Sequence, residues 1–148
     1  MQLILFSTYL FLACFNAGNM VTLQIQHYGI YHFVGKDNFR DYMTANNKAA
    51  AVPSILPAML LLLTSMVLLF YRPVFMSLPQ AVASFILNII AFVSTFKWQR
   101  KLQSEMAATG YDKKKVELLI ATNRIRTIAF LVQAILAVYI IMDAAWNK

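Results

Sequence analysis

Residues 49–71 read AAAVPSILPAMLLLLTSMVLLFY, without one charged side chain, and after Arg72 residues 73–96 read PVFMSLPQAVASFILNIIAFVSTF, again uncharged. Each run exceeds the roughly 20 residues with which a helix crosses the hydrocarbon core of a bilayer. Pro53 and Pro57 interrupt the first run, which a membrane helix tolerates when its neighbours take up the freed carbonyls. Working outward, no charge precedes Lys36, so Met1 to about His27 reads as a further span. Phe11-Leu12-Ala13-Cys14 is loosely like a lipoprotein cleavage site, but no basic segment precedes it and the apolar run continues past Cys14, so the span is expected to be retained. On the other side, Gly110 punctuates the chain and Asp112 is placed to cap a helix running through Leu118 to Met142. The expected fold class is therefore all-α: a polytopic, antiparallel four-transmembrane-helix bundle forming a single domain over 1–148. Its spans are expected at about 3–27, 49–71, 78–98 and 118–142, with connecting loops at 28–48 and 99–117.

The composition agrees, for 60% of the 148 residues are hydrophobic and only 13% charged. That balance excludes a soluble globular enzyme, a disordered tail and a disulfide scaffold. The net charge of +7 would suggest nucleic acid in a soluble protein, but here it is a topological signal and no nucleic-acid partner is expected. Of the 13 basic residues, all but Arg72 and Lys148 fall in or beside the 28–48 and 99–117 connections. Lys and Arg are enriched in cytoplasmic loops, so both termini are expected on the non-cytoplasmic side. The basic side would also attract anionic headgroups, making membrane lipid an expected partner. Cys14 is the only cysteine, and no intrachain disulfide can form.

Polar side chains inside a span tend to face the bundle interior and to carry function. Span one carries Asn16, Asn19, Gln26 and His27, close to one helical face; span three carries Gln80, Ser84, Asn88, Thr95 and Gln99; span four carries Asn123, Arg126, Thr127 and Gln133. Taken singly, Asn16, Asn88 and Gln133 suit interhelical hydrogen bonding. Pairing spans three and four about Gly110 sets Gln99 level with Ala121 to Asn123, with Arg126 about a turn deeper and His27 ending span one on the same side. Arg124 and Arg126 point to different sides of the helix. Arg126 shares a face with Asn123 and Gln133 and is expected inward, its fixed fork of donors suiting an anionic or carbonyl-bearing ligand. Pairing with Asp37, Asp41 or backbone carbonyls is the structural alternative. His27 and His32 are the only histidines. Their spacing and the lack of carboxylates deep in the spans supply no zinc or di-iron set, so no metal site is expected and the cofactor is left open. His27 is a candidate general base. The alternative makes it an interfacial residue beside Tyr28, Tyr31 and Tyr42.

Several short stretches, Gln26-His27-Tyr28, Phe33-Val34-Gly35, Phe39-Arg40-Asp41-Tyr42, Pro57-Ala58-Met59 and Asn123-Arg124-Ile125-Arg126-Thr127, resemble a family of small four-span bacterial integral membrane proteins. In that family a QVVHYP stretch ends span one, VGPPML opens span two and TNWLRT opens span four. The resemblance covers about Leu23 to Ala137. The family is distantly similar to the anthrone oxygenase-like membrane proteins of fungal polyketide pathways, which implies oxidation of an aromatic substrate in a bacterial inner (cytoplasmic) membrane. This chain departs from the pattern at Gly29, Asn46-Asn47 and Gln99, where the family has a proline and further histidines, and at Arg124, where it has an aromatic residue. Of the family histidines only His27 remains.

Three functions follow as expectations. The first is an enzyme or redox-related protein that binds and oxidises an apolar aromatic or quinone-like small molecule. Its catalytic residues would be His27 and Arg126, and its ligand-binding residues Asn19, Gln26, Gln99 and Asn123. The second is a lipid- or metabolite-binding accessory subunit, and the third a small transporter acting as a dimer. A homodimer is open because Ala13 and Ala17 form a small-xxx-small pair.

Overall fold

A computed structural model of the chain describes residues 1–146. Among them there is no strand. Helix α1 (Gln2–Thr22) is prolonged by a π turn (Leu23–His27) and a 3-10 turn (Gly29–Phe33). The short α2 (Phe39–Ala49) follows, and a second π turn (Ala51–Ile55) leads into α3 (Leu56–Phe70). α4 (Leu78–Ser94), a third π turn (Thr95–Gln99) and α5 (Arg100–Thr109) make one long rod, and α6 spans Lys113–Trp146. The segments Gln2–Phe33, Val52–Phe70, Leu78–Thr109 and Lys113–Trp146 are long and apolar enough to cross a membrane, so the chain is a multi-pass membrane protein. α1 packs on α6 and α3, and α4 packs on the same two helices, which closes a ring of four; α2 packs on α5 and covers one end.

The burial pattern shows how the sequence selects inside from outside. On α4, Ala81, Ser84, Asn88, Ala91 and Ser94 are buried, whereas Ile86, Ile90 and Val93 face outward. Large apolar side chains are needed toward lipid, and small ones let helices approach, because tails are as apolar as leucine and give helices no hydrophobic reason to associate. Ala13 and Ala17 follow the same rule: both are buried in the core with Ala129, Phe130 and Ala137 of α6, so their face serves packing within the chain. Cys14, beside them, is exposed.

Residues 28–48 and 99–117 were expected as loops, yet most of both stretches is helical. Phe39 and Met43 lie one turn apart on α2 and are fully buried. They join Leu102 and Met106 of α5, Val116 and Leu119 of α6, and Tyr28 and Tyr31, in a second core outside the four-helix ring. Burial of that stripe stabilises a helix that its polar remainder would not sustain alone. Lys115 and Glu105, 2.9 Å apart, tie α6 to α5 beside it.

The chain ends of the elements carry recognisable stops. Asp112 Oδ1 accepts from the backbone N–H of Lys114 (2.9 Å) and Lys115 (3.2 Å), capping α6 as expected. Gln80, expected in the polar stripe, forms a capping box with Ser77 at the start of α4: Gln80 Oε1 accepts from Ser77 N–H at 2.8 Å. Gly110 turns the chain between α5 and α6 at φ 87°, ψ −160°, a region open essentially to glycine alone. Replacing Gly110 by Ala should cost about 1–3 kcal/mol, read as a lower unfolding midpoint in mixed micelles, with ligand properties of the bundle retained. Pro57 has no N–H to offer the carbonyl of Pro53 four residues back. Asn19 Nδ2 donates to that carbonyl instead, at 2.8 Å, which is how a neighbouring helix makes the proline tolerable.

Candidate functional site

Between the two cores lies a polar layer. Arg126 is its centre, only 8% exposed, while Arg124, two residues earlier, is exposed. The Arg126 Nε–H donates to Asn123 Oδ1 at 2.9 Å and Nη2 donates to the same oxygen; Nη2 also donates to Tyr28 Oη at 3.1 Å, and Nη1 to Thr95 Oγ1 at 3.3 Å. Asn123 is fully buried and held in turn by donating Nδ2 to Gln24 Oε1 at 2.8 Å. Gln99 donates to Thr122 Oγ1 at 2.7 Å and to the Leu119 carbonyl at 3.3 Å, and accepts from the Tyr28 hydroxyl at 3.5 Å. The register expected about Gly110 is the one observed, with Gln99 beside Thr122 and Arg126 reaching the deeper Thr95.

All these partners of Arg126 are neutral. Asp37 and Asp41 are exposed, and the ion pairs among the described residues, Lys113–Glu117 and Lys115–Glu105, do not include it. Hydrogen bonds satisfy donors, but they do not supply opposite charge, and an uncompensated guanidinium at this depth is costly.

Arg126 borders a cavity of about 470 Å³. His27, Tyr28, Asn46, Gln99 and Gln103 contribute to its wall, and Arg100 and Lys101 stand with them. His27 Nε2 lies 2.8 Å from Asn46 Oδ1 and 3.2 Å from Tyr31 Oη. Asn46 Oδ1 can only accept, so Nε2 carries the proton and, in the neutral ring, Nδ1 is the basic nitrogen. Tyr31 sets the ring edge-on, with centroids 5.3 Å apart. Tyr42 flanks the same ring at 6.4 Å, and burial pushes its hydroxyl above the ordinary value.

Three of the expected ligand-binding residues do not line the cavity, and Gln99 alone does. Asn19 serves the Pro53 carbonyl, Gln26 is exposed, and Asn123 is fully buried behind Arg126, which it holds in place. The cause of the second is the π turn at Leu23–His27, where one extra residue per turn breaks the 3.6-residue period by which Gln26 was put on the Asn16 face. Gln24 takes the inward place. Tyr28 and Tyr31 are likewise buried, not interfacial. Tyr28, Gln24, Thr122 and Asn46 are the participants that the polar stripes did not single out; Tyr28 had a signal as the last residue of Gln26-His27-Tyr28, and Asn46 as a position where the family pattern has a histidine. Deeper in the bundle, Asn88 Nδ2 donates to Ser65 Oγ at 2.9 Å, and Asn16 to the Leu12 carbonyl at 2.8 Å, as helix-joining and local contacts. No group of three or more His, Cys, Asp or Glu among the described residues is placed to hold a metal ion.

Compared with known proteins, the chain matches no family model, no curated protein and no solved structure.

Proposed function

We propose that this membrane protein binds a small aromatic or quinone-like molecule in the cavity at the basic end of its bundle, with a carbonyl or oxyanion of the ligand on Arg126. The observation that carries the reading is a buried guanidinium, held by neutral groups, at the wall of a cavity whose size falls among those that hold small ligands, roughly 300–1,000 Å³. The residues that carry the sequence resemblance support it, since His27, Tyr28, Asn123 and Arg126 gather in this one layer. The same resemblance is the support for a bacterial cytoplasmic membrane, and the distribution of Lys and Arg for a cytoplasmic basic end.

In an enzymatic form, Arg126 stabilises negative charge developing on a ligand oxygen and His27 Nδ1 accepts a proton. In a purely binding form the same contacts hold the ligand without turnover. Native mass spectrometry, with an absorption spectrum, on protein extracted gently from its own membranes should show an organic molecule in stoichiometric amount. A bare, colourless chain would overturn the reading in favour of an accessory protein whose polar layer only joins helices. Once the molecule is in hand, His27→Ala separates the two forms: turnover should fall by roughly 10²–10⁴ in the first, and retention of the ligand should persist in both.

A further inference from the structure

We infer that the occupant is an anionic amphiphile, its carboxylate or similar monoanion at Arg126 and its apolar ring or chain lodged between α3 and α4. This names the ligand class of the site above and rests on that reading. The large cavity adjoins a second one of about 180 Å³, and Arg126, Thr95, Phe96 and Ser54 border both. The second cavity runs away from the basic end along Ala58, Ala91, Phe92 and Phe130 as far as Asn88. Asn88 lies seven residues before Thr95, about 10 Å deeper along the helix. An apolar cavity of roughly 150 Å³ accommodates a benzene ring, so this branch has room for one ring or a short length of chain. Met59 and Phe96, 46% and 53% exposed, stand where the branch meets the lipid-facing surface. A molecule can therefore enter sideways from the bilayer, tail and head together.

Charge decides the head group. Arg126, Arg100 and Lys101 border the large cavity, and no Asp or Glu lines either cavity among the described residues. Arginine has five N–H donors, and its contacts with Asn123, Tyr28 and Thr95 use four of them, leaving one on Nη1. A neutral carbonyl would satisfy that donor and leave the positive charge as it was. A carboxylate does both, and at a guanidinium only 8% exposed its attraction is stronger than between charges in bulk water.

The test uses the full chain in nanodiscs of phosphatidylcholine, titrated by calorimetry against empty discs with 2-naphthoate, its methyl ester, decanoate and 2-methyl-1,4-naphthoquinone. Naphthoate or decanoate should bind at least about tenfold tighter than the ester, a difference of 1.4 kcal/mol. Arg126→Gln should bring the ratio close to one, and Arg126→Lys should retain part of it. Decanoate ahead of naphthoate would assign a chain to the branch, and competition by added phosphatidylglycerol would assign the anion to a membrane lipid; either supports the anionic head group and overturns the aromatic-ligand reading. Ester and quinone binding as tightly as naphthoate would overturn the anionic head group while the aromatic-ligand reading stands. If none of the four probes binds above the empty discs, both fall.

Discussion

Asn123→Leu should destabilise the bundle by about 3 kcal/mol, because it removes the oxygen that takes both Nε–H and Nη2–H of Arg126 and leaves a buried charge short of partners. The natural comparison is Asn88→Ala, which breaks a neutral contact to Ser65 between α4 and α3. Such contacts average about 0.6 kcal/mol in membrane proteins, so the two substitutions should differ several-fold when unfolding is followed by circular dichroism in mixed micelles. Equal losses would mean that Arg126 is hydrated or neutralised by something other than Asn123. The double variant Asn123→Leu with Arg126→Met sharpens the point. Removing both members of a buried polar pair is often near neutral, so most of the loss should be recovered although twice as much has been changed.

Arg126→Gln should have the largest effect on ligand rather than on fold. Glutamine keeps a hydrogen-bonding head near Asn123 and Tyr28, but it removes the charge. Loss of one partner from a buried charged contact costs about 2–5 kcal/mol in binding, so retention of the native molecule should fall by about a hundredfold. Native mass spectra of wild type and variant, prepared side by side, read this directly. A variant that keeps its ligand at wild-type occupancy would move the head group away from Arg126.

The architecture was legible because a membrane imposes it: charge-free runs of sufficient length, divided by Arg72 and by the turn at Gly110, leave four helices as the economical answer. The hairpin register about Gly110 was legible as well, since two antiparallel helices joined by a short turn keep equal distances from it, and this is how Gln99 and Arg126 could be placed. What escaped were the features that break a simple period. Counting by 3.6 put Gln26 inside, where the π turn puts Gln24 and Tyr28. Residues 28–48 looked like a loop because they are polar on average, although Phe39 and Met43 give α2 a buried stripe against α5. Asn19 had the look of a ligand-binding residue because its partner is a backbone carbonyl exposed by a proline thirty-odd residues away, and no local pattern announces such a debt.

The three π turns, at Leu23–His27, Ala51–Ile55 and Thr95–Gln99, each place residues in the wall of the same cavity. A π turn carries one residue more than the helix on either side of it, and one residue is worth about 100° of rotation. The helix below such a turn can therefore keep its face toward its neighbours while the helix above presents a different one. Bundle and binding layer are in this sense geared to each other rather than rigidly cut from one pattern. A chain shortened by one residue within Leu23–Gln26 would close that turn into plain α-helix with Tyr28 still facing Arg126, whereas one lengthened by a residue in α1 below the turn would swing Tyr28 away.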